Sequence, residues 1–162
     1  MCPSILDKES FFRAAYLLSE CHFAGDTDIF ASIRDDVSPG GDDGMSVIIT
    51  DLMTDSNWRG AVDYLLERKR QVVIVQVLSP LELDPMYGGA VNLQDSELMG
   101  TRDMRIEIDR TAIEVYQQSV REWLAEIDAF CKARRVACLQ VLSNEKMEDI
   151  ILKRAIAAGI VR

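Results

Sequence analysis

Apolar and polar positions alternate along this chain in two distinct rhythms, and the rhythm changes several times. From Lys8 to Cys21 the residues Phe11, Phe12, Ala15, Tyr16, Leu17 and Leu18 recur at three- and four-residue steps, which predicts an amphipathic helix. Gly25-Asp26-Thr27-Asp28 offers an N-cap for a second short helix running to about Arg34. Residues 37–44 carry Pro39, three glycines and two aspartates and read as a loop. Met45 to Thr50 is a short, largely β-branched run, the pattern of a strand buried on both faces of a parallel sheet. Thr54-Asp55-Ser56-Asn57 then supplies capping chemistry for a helix whose face is Trp58, Ala61, Val62, Leu65 and Leu66.

Gln71 to Leu78 is a second apolar strand, halted at Ser79-Pro80. Val91 to Leu93 and Met104 to Ile108, placed around Gly100, predict a hairpin. The longest helical stripe runs from Arg110 to Arg134 through Ile113, Tyr116, Val120, Trp123, Leu124, Ile127, Phe130 and Cys131. A third apolar strand, 136–142, and a closing helix, 147–158, complete the chain. Strands alternating with helices predict an α/β fold in three layers: a mainly parallel sheet with helices on both faces, and a β-hairpin insertion near 91–108. The length of 162 residues suits one domain spanning 1–162.

Composition adds three exclusions. A formal net charge of -9 repels a phosphate backbone, which argues against nucleic acid as partner. No apolar run is long enough to cross a bilayer, and Met-Cys-Pro-Ser-Ile-Leu-Asp lacks the pattern of a signal peptide, so a cytoplasmic location is expected. Cys2, Cys21, Cys131 and Cys138 form no C-x-x-C pair and the only histidine is His22, so zinc is not indicated and reduced thiols are.

Ligands of open α/β sheets sit beyond the carboxyl ends of the strands. That rule singles out Asp51, the 79–82 segment and the 143–145 segment. Asp51, immediately after a strand, has two readings: a ligand for a hard cation such as Mg²⁺, or the cap of its own turn, and spacing alone favours the cap. Trp58 and Trp123 read as core. Glu67-Arg68-Lys69-Arg70 reads as a solvated basic cap at a helix C-terminus. No phosphate loop is present, and His22 has no partner pattern for nucleophilic catalysis.

An ordered set of short segments resembles one bacterial family. Phe-Arg-Ala-Ala-Tyr-Leu-Leu at 12–18, Phe-Ala-Gly-Asp-Thr-Asp-Ile at 23–29 and Val-Ile-Ile-Thr-Asp-Leu-Met at 47–53 are followed by Val-Gln-Val-Leu-Ser-Pro-Leu-Glu at 75–82, Leu-Gln-Asp-Ser-Glu at 93–97 and Leu-Gln-Val-Leu-Ser-Asn at 139–144. Together they resemble the "domain of unknown function 58" family, which has a von Willebrand factor A-like domain of Rossmann-type topology and is often encoded beside MoxR-type AAA+ ATPases. The resemblance implies a metal-ion-dependent adhesion site in which Thr27 and Asp51 would be ligands of Mg²⁺. The family's first signature, Asp-x-Ser-x-Ser, is absent from the chain, so the resemblance implies an N-terminally truncated domain with an incomplete site. Ser79 stands where the family carries aspartate, leaving Glu82, with Asp55, as the acids expected to meet a partner.

The implied function is a protein-interaction module without catalysis of its own, an adaptor or client of a MoxR-type ATPase. The alternatives are a Mg²⁺-dependent hydrolase or phosphatase using Asp51, and an incomplete domain that acts only in assembly. A missing first strand would also leave the 45–50 strand without a neighbour, which predicts a homodimer or a sheet completed by a partner.

Overall fold

The computed structural model describes residues 5–21, 28–36, 44–86, 88–93 and 104–160. Thr27, His22 and the tip of the expected hairpin, including Gly100, lie outside the described residues. In chain order the elements are α1 (Lys8–Ser19), α2 (Ile29–Asp36), β1 (Met45–Thr50), α3 (Trp58–Glu67), β2 (Gln71–Leu78), α4 (Pro80–Leu83), β3 (Gly89–Leu93), β4 (Met104–Ile108), α5 (Arg110–Arg134), β5 (Ala137–Leu142) and α6 (Met147–Asp149). A π-helical segment, Ile150–Ala155, continues α6. Among the described residues no helix is long and apolar enough to cross a membrane.

The architecture is α/β. Its sheet has three parallel strands in the order β1-β2-β5, with Val47 beside Val73 and Ile74 beside Cys138. β3 and β4 form a separate antiparallel pair in which Val91 faces Ile106 across the backbone.

Side-chain parity along β2 sorts the interior into two layers. Val72 and Ile74 join Val62 and Leu65 of α3 and Ile127 and Cys131 of α5 in the larger cluster. Val75 and Val77, of opposite parity, pack with Leu139, Val141, Ile150 and Ala155. Helical segments therefore cover both sheet faces. Burying the fully enclosed Leu65, Ile74 and Ile127 stabilises the larger layer by about 1.5–3 kcal/mol per side chain.

Local chemistry fixes the boundaries. Asp7 and Ser10 form a reciprocal capping box at the start of α1, and Asp28 Oδ1 accepts from Ala31 N at 3.0 Å at the start of α2. Asp109 caps α5 through Ala112 N at 2.7 Å, and Arg135, at φ 58, ends that helix in the left-handed region.

Three expectations need correction. β1 is not buried on both faces: Val47 and Ile49 are 51% and 71% exposed, because the helical layer on their side covers only the β2–β5 half. Trp58 is core, and Trp123 packs against the same cluster but only half-buried, also lining a cleft. The basic run after α3 is not a solvated cap. Arg68 lies 4.8 Å from the Tyr64 ring, and Arg70 donates from Nε to Ser46 Oγ at 2.6 Å and from Nη2 to the Met45 carbonyl at 3.1 Å.

α1 has an apolar face that stays uncovered. Only Ala14 is buried in it, while Phe11, Phe12, Tyr16, Leu17 and Leu18 are exposed.

Candidate functional site: the carboxyl end and open edge of β1

The chain leaves β1 through a loop built from side-chain-to-backbone turns. Thr50 Oγ1 accepts from Leu52 N at 3.0 Å, Asp51 Oδ1 from Met53 N at 2.9 Å and Thr54 Oγ1 from Ser56 N at 3.1 Å. Asn57 Oδ1 then caps α3 by accepting from Gly60 N at 3.0 Å. Leu52 sits at φ 64 with its side chain in the core. A left-handed leucine costs roughly 1–2 kcal/mol, which burial of its side chain offsets.

A buried glutamine anchors this loop from below. Gln76, at 0% exposure the single buried polar residue among those described, donates from Nε2 to the Asp51 carbonyl at 3.1 Å and accepts at Oε1 from Gln140 Nε2 at 3.1 Å. The two glutamines are register partners on β2 and β5. Each opens the tetrapeptide Gln-Val-Leu-Ser, at 76–79 and 140–143. That repeat was the available sign of the pairing, and it goes unnoticed when each strand is considered alone.

Above the loop lies a cleft of about 1010 Å³. Its walls come from 49–56, from Asp28 and Ile29, and from Tyr116, Ser119, Val120 and Trp123 of α5. Three carboxylates (Asp28, Asp51, Asp55) line it and, among the described residues, no lysine or arginine does. All three are exposed, and Asp28 and Asp51 each commit one oxygen to a backbone N–H. Among the described residues no group of three or more His, Cys, Asp or Glu side chains is placed to hold a metal ion.

Glu82, expected to face a partner, is turned inward. Its carboxylate accepts from Ser79 N at 2.5 Å in a capping box for α4. Its carbonyl accepts from Tyr116 Oη at 2.8 Å, and partial burial followed by the Glu82 charge pushes the Tyr116 phenol above its ordinary value. Asp51 and Asp55 therefore share the cleft, and Glu82 serves the adjoining helix.

An arginine reaches one backbone carbonyl on each outer strand of the sheet, Gln140 on β5 and Met45 on β1. At β5, Arg154 donates from Nη2 to the Gln140 carbonyl and holds Glu145 through Nη1 at 2.8 Å to both oxygens. Glu145 in turn accepts from Leu142 N at 2.8 Å. At β1 the inner ladder starts with Gln71 N donating to the Gly44 carbonyl. Continued along a parallel pair, this ladder uses the even-numbered backbone groups, so Met45, Val47 and Ile49 turn their N–H and C=O outward, the Met45 carbonyl accepting from Arg70. Their side chains are exposed as well. β1 carries no charge, proline or glycine over 45–50, Arg70 reaches only its amino end at the Met45 carbonyl, and among the described residues no strand pairs with the outer side of Val47 and Ile49.

Compared with protein-family models, with curated proteins and with solved structures, the chain matches none.

Proposed function

We propose that this chain is a protein-interaction module that takes an extended segment of a partner along the open edge of β1. The observation that carries the reading is that the backbone and the side chains of Val47 and Ile49 are both presented outward. An added strand would gain main-chain hydrogen bonds from the edge and apolar contact from the alternate side chains. The acidic cleft at the far end of the same strand favours a segment with a lysine or arginine at that end, near Asp51 and Asp55. A second copy fits less well, because two chains of net charge -9 repel one another. The uncharged strand itself still permits a homodimer, which salt would then strengthen by screening.

The resemblance to von Willebrand factor A-like domains supports the same class of activity, binding without catalysis in a cytoplasmic setting. It nominates a MoxR-type AAA+ ATPase as partner, with this chain as adaptor or client. Under that reading Thr27 and Asp51 would contribute to a Mg²⁺ site completed by a partner carboxylate. Against the Mg²⁺-dependent phosphatase alternative stands the lack, among the described residues, of a lysine or arginine lining the cleft and of any group of three metal-ligating side chains.

The test uses fluorescence anisotropy with two synthetic peptides of alternating valine and threonine, one ending in lysine and one in glutamate. Binding of the lysine peptide alone, with new amide-exchange protection at Val47 and Ile49, is the expected result. Equal binding of both peptides, or protection elsewhere, would refute it. Salt-promoted self-association with protection at the same amides would replace the partner strand by a second copy.

A further inference from the structure

The turn from α5 into β5 places two thiols in one hydrophobic cluster. Cys131 lies in the last turn of α5, and its carbonyl accepts from Val136 N at 2.9 Å, folding the chain back on itself. Parity places Cys138, beside Ile74, on the sheet face that α5 covers, where it packs against the cluster containing Cys131. Their environments differ. Cys131 is 1% exposed, whereas Cys138 is half-buried and lines an open cleft of about 390 Å³ between α5 and β5.

We propose that Cys138 and Cys131 form a hydroperoxide-responsive dithiol, with Cys138 as the attacked sulfur and Cys131 as the resolving one. The Cys138 thiolate attacks one peroxide oxygen, the O–O bond breaks, and the departing hydroxide or alkoxide takes up a proton. The Cys131 sulfur then attacks the resulting sulfenic sulfur. An S–S bond forms, the S–O bond breaks, and hydroxide leaves with the Cys131 proton as water. Two thiols and one hydroperoxide thus give a disulfide, an alcohol (or water) and water, a two-electron oxidation of the protein.

The electrostatics fit this division of roles. The hydrogen bond between the thiols raises Cys131, with burial adding to the rise, and lowers Cys138. Asp128 opposes ionisation of both, but its carboxylate is paired with Lys132 Nζ at 2.7 Å. The more readily ionised thiol thus lies at the open position, beside a second cysteine that gives up its proton as it attacks the sulfenic sulfur. Cys21, exposed and with its Sγ donating to the Leu17 carbonyl at 3.3 Å, is an internal control.

The test treats the full chain with one equivalent of hydrogen peroxide, blocks free thiols by alkylation and maps tryptic peptides. Cleavage after Lys132, Arg134 and Arg135 separates the two cysteines, so their disulfide appears as one pair of joined peptides, 122–132 with 136–146. That pair, lost on treatment with reductant, is the expected result. In Cys131→Ser, or in Cys131→Ala should serine unfold the chain, Cys138 accumulates as a sulfenic acid trapped by dimedone. Oxidation of Cys21 with Cys131 and Cys138 both left alkylatable would overturn the proposal. So would a sulfenic acid on Cys138 in the untreated-sequence protein with no joined peptides.

Discussion

Gln76→Glu changes one heavy atom in the most enclosed polar contact among the described residues, and its effect follows from where Gln76 points. Glutamate keeps the shape, and the oxygen facing Gln140 Nε2 still accepts. The oxygen replacing Nε2 faces the Asp51 carbonyl, so an ionised side chain would set acceptor against acceptor at 0% exposure. A protonated one restores the missing donor. Burial and the carbonyl both raise the folded-state value above the unfolded one of about 4.3. The sign follows from linkage: the folded state binds more protons, so stability relative to wild type falls as pH rises above about 4.3. The slope is about 1.4 kcal/mol per pH unit until the folded value is reached, giving roughly 3–4 kcal/mol at pH 7 if that value lies at neutrality or above. For a chain of this size that is roughly 6–16 °C in Tm. Urea unfolding of both proteins at closely spaced pH values between acid and neutrality measures the difference directly. A gap that does not change with pH would refute the assigned orientation of the Gln76 amide.

Ile49→Lys should leave Tm within about 1 °C of wild type, since the side chain is largely exposed, yet weaken the lysine-ended peptide roughly 10–100-fold by anisotropy. Millimolar Mg²⁺ is expected to leave the Tm of wild type and Asp51→Ala unchanged, because Asp51 already spends an oxygen on Met53 N; a rise in wild type that Asp51→Ala abolishes would restore the adhesion-site reading. Glu145 is held below its ordinary value of 4.5 by the Leu142 N–H first and then by Arg154. Its contribution is therefore present above that value and lost as pH falls through and below it. The Tm advantage of wild type over Glu145→Gln should shrink on acidification, and a gap that widens would contradict the contact.

The elements were readable because each has its own local signature. β2 announced itself through Val72 to Val75, α5 through eight apolar positions at helical spacing, and the β3–β4 hairpin through two short apolar runs. What sequence could not supply was adjacency. Met45 to Thr50 has nearly the composition of β2, but the β-branched pattern reports affinity for a neighbour, not whether a neighbour is there. Glu82 reads in sequence as an acid that meets a partner, although the Ser79-x-x-Glu82 spacing is itself a capping-box signature. Gln76 and Gln140 meet only because β2 and β5 align in one register. Cys131 and Cys138 meet because a left-handed residue reverses the chain between them.

The central position of β2 also dictates an order of assembly. β1, α3 and β2 are consecutive in the chain, so their contacts close short loops and form from nearby sequence. β5 can dock only after the chain has run from Leu78 to Ala137 through the hairpin and the whole of α5. Closing that longer excursion is the slower event, and until it happens the second long flank of β2 is bare. On a ribosome, which releases the amino end first, the β1–α3–β2 unit emerges with an incomplete interior. The shielding of nascent β2 is thus a task for whatever meets the chain during synthesis, well before the sheet is complete.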